Sequence, residues 1–374
     1  MSPVYLDSNA STQVDPRVRQ ALWEGLVAPG NPHSDHRHGR AARVRLDRAL
    51  ARLGALFDAP ATAVVPTSGA TEALDLAHRG LGTALGETGR THVVTTAIEH
   101  KASLQAARRL GRRGDLTVVD CGPDGRVRAA DILAALRPDT GLVSVQHVNN
   151  ETGALQPIEA IAAGLRDHPA FFHVDAAQSF GKQQEPLRRP RIDLISFSGH
   201  KVHAPAGTGG LLVRERAAEA LQATLPGRSV AQPHRPGTPA TALVEALALA
   251  GELAVAERPH RRAGHEQVRA QLLALARRHG AVVHTPVEHA LPHVLCFALP
   301  GVESEVARMV LGDLVSVGNG AACAAGAPSH VLSAMGVPAG LAACTLRWSW
   351  SHLTPAIPWE AIDERWDRLM RMAA

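Results

Sequence analysis

The stretch 193–210, Asp193-Leu194-Ile195-Ser196-Phe197-Ser198-Gly199-His200-Lys201-Val202-His203-Ala204-Pro205-Ala206-Gly207-Thr208-Gly209-Gly210, decides how the rest of the chain is read. Apolar residues at Ile192, Leu194, Ile195 and Phe197 describe a buried strand, closed by Ser198, Gly199, His200 and Lys201. A lysine at a strand end is either a solvated surface group or a reactive amine, and its Ser, Gly and His neighbours favour the second. Lysine forms imines with carbonyl compounds; arginine, whose guanidinium stays protonated, does not. The sequence holds only three lysines, Lys101, Lys182 and Lys201, against a large excess of arginine, so amine chemistry has three candidates.

Working outward, strand-like runs at 63–66, 92–97, 116–119, 142–148 and 171–174 alternate with helical segments near Glu72, Ala102, Ala130 and Ile158. A helix rich in arginine is expected over 40–57. The alternation predicts an α/β fold with a mostly parallel sheet covered by helices on both faces. Ligands of such sheets bind at the carboxyl ends of the strands, so the residues closing each strand belong together. Beyond about residue 252 the pattern changes to a long Arg/Ala/Leu helix, then strands with antiparallel alternation near Val282 and over 294–299 and 345–350. This predicts a large domain over 14–252 and a smaller α+β domain made of 1–13 and 253–374.

The 374 residues suffice for a large core, and 45% hydrophobic with 20% charged residues excludes a disordered or low-complexity class. No basic-then-apolar leader opens the sequence, and the most apolar later stretch, 241–256, is interrupted by Glu245 and Glu252. A soluble cytoplasmic protein without membrane contact is expected. Cys121, Cys296, Cys323 and Cys344 lie far apart without a Cys-x-x-Cys pair, which predicts free thiols and no metal site. The net charge of +4 is spread over isolated arginines with no DNA-binding motif, so direct nucleic-acid binding is not expected.

Ser68-Gly69-Ala70-Thr71 follows a strand and opens a helix, where free N–H groups and the helix dipole hold phosphate; the same residues also suit an ordinary glycine turn. Asp175 follows Phe171-Phe172-His173-Val174, so a carboxylate lands at a buried strand end and needs a cation. A protonated pyridine nitrogen or an arginine would serve. His100 closes another strand and either stacks on a cofactor ring or is a packed polar residue. Phosphate loop, histidine, acid and lysine, in this order, describe a pyridoxal-phosphate enzyme of the aminotransferase-like fold.

Thr67-Ser68-Gly69-Ala70-Thr71-Glu72, Glu99-His100-Lys101, His147-Val148-Asn149-Asn150-Glu151-Thr152-Gly153, His173-Val174-Asp175-Ala176-Ala177-Gln178 and Ser198-Gly199-His200-Lys201 closely resemble the class V cysteine desulfurases, nearly end to end. The resemblance implies fold type I, pyridoxal 5'-phosphate, L-cysteine as substrate and a homodimer. It implies Lys201 as the imine lysine, His100 over the ring, Asp175 on the pyridine nitrogen and Gln178 on the ring hydroxyl. Ala70, Thr71, Ser198 and His200 would hold the phosphate, Asn150 would lie beside ring and substrate, and Thr238 would reach the partner subunit's phosphate. Cys323, in a Gly/Ala-rich segment that can bury little, matches the persulfide cysteine; Cys121, Cys296 and Cys344 read as packing residues. Arg347 lies inside an apolar strand and demands an anion, which in the family is the substrate carboxylate.

The sequence departs from many relatives at 226–233, where a glycine-rich segment is usual, and at Ala206, usually lysine. Neither place holds a bond-making group. The chain stops at Ala374 without the longer tail of cluster-assembly desulfurases. Segments 93–101, 149–157 and 190–196 look most like the desulfurases of DNA phosphorothioation systems. Only four residues separate Cys323 from Pro328, and extended chain covers at most roughly 3.3–3.6 Å per residue, so the sulfur acceptor is expected to come close. Rival readings are a desulfurase for iron–sulfur clusters or tRNA thiolation, a selenocysteine lyase or aminotransferase on the same fold, and a cofactor-bearing scaffold without turnover.

Overall fold

Thr140–Gln146, Phe171–Asp175 and Leu194–Ser198 are buried along their whole lengths, as strands in the middle of a parallel sheet with both faces covered must be. The computed structural model describes residues 2–111, 115–227, 233–319 and 329–373. In chain order the strands are β1 (Val4–Leu6), β2 (Val64–Thr67), β3 (His92–Thr96), β4 (Leu116–Val119), β5 (Thr140–Gln146), β6 (Phe171–Asp175), β7 (Leu194–Ser198), β8 (Gly209–Val213), β9 (Val282–Val283), β10 (Val294–Ala298), β11 (Val315–Asn319) and β12 (Thr345–Ser349).

Seven of them form one sheet in the order β2-β8-β7-β6-β5-β3-β4, in which β7 through β4 run parallel and β8 pairs antiparallel with both β7 and β2. The interior strands are not purely apolar. His173 of β6 bridges Ser144 of β5 at 2.9 Å and Ser196 of β7 at 2.8 Å, so one buried imidazole satisfies hydroxyls on both neighbours. Burial holds that ring well below its ordinary pKa, so it stays neutral. The amino end of β7 is fixed by Asp193, a buried carboxylate paired with Arg191 and Arg216, each at 2.7 Å. Its other end packs Phe197 against Phe57 and Phe180, with ring centroids 5.3 and 4.7 Å away. Removing such a buried ring costs about 3–5 kcal/mol.

The second sheet has the order β1-β11-β12-β10-β9, with β1 parallel to β11 and the other pairs antiparallel. It carries its own core of Phe297, Trp348 and Trp366. The expected helix over 40–57 is Arg37–Ala55, and the Arg/Ala/Leu helix is Arg258–Arg278, preceded by the apolar helix Thr241–Ala256. Aminotransferase-like architecture is thus what the strand-end reading predicted. No helix among the described residues is long and apolar enough to cross a membrane.

Candidate active site

A cavity of about 900 Å³ opens at the carboxyl ends of β5, β6 and β7 and is closed on one side by the segment that follows β1. Ala70, Thr71, His100, Asn150, Asp175, Gln178, Ser198, His200, Lys201 and Arg347 all line it, so nearly every described residue singled out in the sequence converges there. The volume suits a cofactor with its substrate. Thr238 is exposed and not among the lining residues. Cys323 lies outside the described residues, as do the departures at 228–232.

Lys201 sits in the short turn Gly199–Lys201 that β7 feeds. Its amine donates to the carbonyl oxygens of Asn9 and of Ala10, the latter at 2.8 Å. Burial, reinforced by the positive charge of Arg347, pulls its pKa down to about 8. A sizeable neutral fraction is therefore present near neutral pH, as a nucleophilic amine requires.

Asp175 is 5% exposed and, among the described residues, accepts only from the Ala177 N–H, at 2.9 Å. Burial pushes its pKa up, against the opposing pull of His100 and Lys201. No arginine pairs with it among the described residues, which removes the structural alternative for this acid. Nearby, Gln178 donates Nε2 to Asn9 O at 3.0 Å, but its Oε1 and the Ser198 hydroxyl are buried without partners among the described residues. Buried polar groups left unpaired in a cavity are groups awaiting a ligand. An acid lacking a cation, an unpaired amide oxygen and an unpaired hydroxyl fit the pyridinium, ring hydroxyl and phosphate of pyridoxal phosphate.

One end of the cavity rests on the helix Ala70–Glu87, whose cap residue Gly69 makes no side-chain hydrogen bond and leaves first-turn N–H groups free, as a phosphate site requires. Gly69 takes φ of 155°, and a Cβ on neighbouring Gly209 would come within 2.5 Å of the Gly69 Cα. Both positions therefore require glycine. Glu72 holds the Ser68 N–H at 2.7 Å and is itself held by Arg235 at 2.9 Å. His200 meets Ser11 Oγ at 3.3 Å, and burial brings its pKa down to about 4, so it is a neutral hydrogen-bonding group. His100 is open to the cavity, its Nδ1 accepting from the Ala102 N–H at 3.2 Å; the packed-residue alternative does not describe it. Burial lowers its pKa, with Asp175 opposing.

Arg347 already has an acidic partner that local reading missed. Its Nη2 reaches Asp7 Oδ1 at 2.6 Å, its Nη1 donates to Asn150 O at 3.1 Å, and its buried Nε is unpaired among the described residues. A Cβ on Gly318 would lie 2.7 Å from Asp7 Oδ1, so the glycine keeps room for this pair. Also unforeseen were two buried carboxylates behind the cavity. Glu99, raised to about 8 by burial, accepts from Thr96 Oγ1 at 2.6 Å and Gln146 N at 2.9 Å. Glu151, raised by burial to about 7, accepts from the hydroxyl of Ser329. Their signal was an acid placed shortly after a buried strand, within the strand-end segments 99–101 and 149–153.

Cys296 and Cys344 are buried and Cys121 half-buried, and burial pushes the Cys296 thiol far up and the Cys121 thiol up. None of these lines the cavity.

Residues 4–356 match the Aminotransferase class-V family. A putative cysteine desulfurase, IscS 1 of Bacillus subtilis, is 39% identical over 343 residues, covering 90% of this chain and 89% of that protein. DndA from Streptomyces lividans superposes with a TM-score of 0.82 at 38% identity, covering 93% of this chain and 99% of that one. A NifS-like protein superposes with a TM-score of 0.90 at 28% identity over 99% of both chains. The chain therefore belongs to the class V aminotransferase family of pyridoxal-phosphate enzymes.

Proposed function

We propose that the protein is a cysteine desulfurase that converts L-cysteine to L-alanine and keeps the sulfur as a persulfide on Cys323. The observation that carries this reading is the convergence of Lys201, Asp175, His100 and Arg347 on one cavity at the strand ends. Pyridoxal phosphate, when bound, supplies an electron sink for the substrate Cα. Lys201 holds the cofactor through its amine and then moves the Cα proton; Asp175 keeps the pyridine nitrogen charged, and Gln178 orients the ring hydroxyl. Ala70, Thr71, Ser198 and His200 hold the phosphate, and His100 covers the ring and shuttles protons. Arg347 grips the substrate carboxylate, assisted by Asn150. The Cys323 thiolate attacks the substrate sulfur: an S–S bond forms, the C–S bond breaks, and its electron pair is protonated at the alanine carbon.

The reading extends to a cytoplasmic homodimer in which Thr238 completes the partner's phosphate site, with no membrane or direct nucleic-acid contact. Residues 14–252 form the cofactor-holding domain, and 1–13 with 253–374 the domain that carries Cys323. The sulfur passes to an acceptor protein of a DNA phosphorothioation pathway. Overall identity, 39% to IscS 1 and 38% to DndA, does not carry that last step. The segments 93–101, 149–157 and 190–196 and the short span from Cys323 to Pro328 do. Labelled sulfur on Cys323 should pass faster to the modification partner than to an iron–sulfur scaffold, and deleting the gene should remove phosphorothioate linkages. Faster transfer to the scaffold, or unchanged linkages, overturns the acceptor assignment.

A further inference from the structure

Behind the wall that holds Lys201 lies a second cavity, of about 50 Å³, with no role in the reaction above. Lys182, His203, His265, His293 and His352 line it together with arginines of the helix Arg258–Arg278, and no Asp or Glu does among the described residues. The arginines are paired with acids outside the space: Arg261 with Glu257 at 2.8 Å and with Asp15 at 3.8 Å, Arg262 with Glu266 at 2.8 Å, and Arg258 with Glu185. Asp15 is also held by Arg17 at 2.8 Å.

Hydrogen bonding in this chamber is incomplete. The Lys182 amine has three protons to donate but among the described residues meets only His293 Nε2, at 3.3 Å. Both ring nitrogens of His352 are buried without a hydrogen-bond partner among the described residues, and Nε2 stands 3.5 Å from Asp15 without bonding geometry. Burial draws Lys182 down to about 7 and His203 and His265 to about 3, which is the response of bases crowded together without a counter-charge. A metal is disfavoured, because these imidazoles do not form a group with donor atoms within 4.8 Å of one another. At about 10–15 Å³ per water the space admits about four waters, or one small polyatomic ion, and is too small for a second cofactor. Water alone would satisfy hydrogen bonds but would leave Lys182, the one lining cation that no carboxylate pairs among the described residues, uncompensated.

We propose that this chamber binds a compact oxyanion of the phosphate or sulfate class, with Lys182 and His352 as its principal donors. Ser8 and Thr12 line the chamber, while Asn9 and Ala10 between them accept from Lys201 on the other side, so the anion would sit one backbone thickness from the catalytic amine.

The test is calorimetric titration of the cofactor-loaded protein with inorganic phosphate, and separately with sulfate, at pH 6.5. One saturable site per chain is expected for at least one anion. Lys182→Met and His352→Gln should each weaken it at least tenfold while leaving cofactor absorbance unchanged. His352→Gln, at a partly exposed position, keeps the test open if Lys182→Met folds poorly. Thr71→Ala, in the cofactor's phosphate cup, should not change the affinity. Absence of saturable binding by both anions, binding that survives His352→Gln at full strength, or binding lost in Thr71→Ala overturns the site.

Discussion

Residues 8–12 separate two chambers with opposite electrostatic designs. On the cofactor side, acids and bases are matched: Asp7 pairs with Arg347, and Asp175 lies within the field of Lys201 and His100. On the far side, basic groups crowd together with no acid lining the space. In the first chamber an incoming zwitterion can exchange one ion pair for another, so binding leaves charge balanced. In the second, the arginines are paired with acids outside the space and burial holds the other bases toward their neutral forms, so that an incoming anion would favour the charged form of Lys182. Buried bases therefore mean different things according to whether an acid faces them.

The largest effect should come from removing the matched amine. Lys201→Ala is expected to lower cysteine turnover by at least about 10²–10⁴-fold and to abolish the visible absorbance of the lysine-bound cofactor, with the far-ultraviolet circular dichroism unchanged. Turnover within tenfold of the parent would break the assignment. Arg347→Leu removes a charge-assisted contact of about 1.5–3 kcal/mol, which corresponds to a roughly 10- to 150-fold higher KM for cysteine. If KM holds and only thermal stability falls, Arg347 is merely the structural partner of Asp7.

A smaller effect sharpens the contrast from the other side. The folded-state pKa of Lys182 is depressed from 10.5 to about 7. Between those values the unfolded chain binds the proton that the folded chain has lost, so this group makes stability rise as pH rises from about 7 to 10.5. Lys182→Met should flatten that part of the stability-against-pH curve, measured by urea unfolding, and should raise stability most at the acid end. Curves of equal slope would mean that the amine is solvated in the folded protein.

What was legible in the sequence follows from how local each feature is. The parallel strands, their closing residues and the lysine turn are each coded within a few neighbours, and those neighbours carried the fold and most of the cavity lining. β8 was hidden because Gly209 and Gly210 lack strand propensity; they are there for the close approach to Gly69 and to the Phe197 ring. β11 was missed because it is a short run interrupted by Gly318, a residue set by the Asp7–Arg347 pair across 340 positions. The basic chamber could not be foreseen either. Lys182, His203, His265, His293 and His352 come from separate segments and share no motif, and only the packing of the two sheets brings them together.

The most direct test of the account follows the sulfur. Cofactor-loaded protein is mixed with one equivalent of sulfur-labelled L-cysteine without reductant, and the peptides are mapped. Alanine and one bound sulfur per chain are expected in equal amounts, with the label on Cys323 and none bound by Cys323→Ser. Label on Cys121, Cys296 or Cys344, or alanine formed by Cys323→Ser at the parent rate, would contradict it.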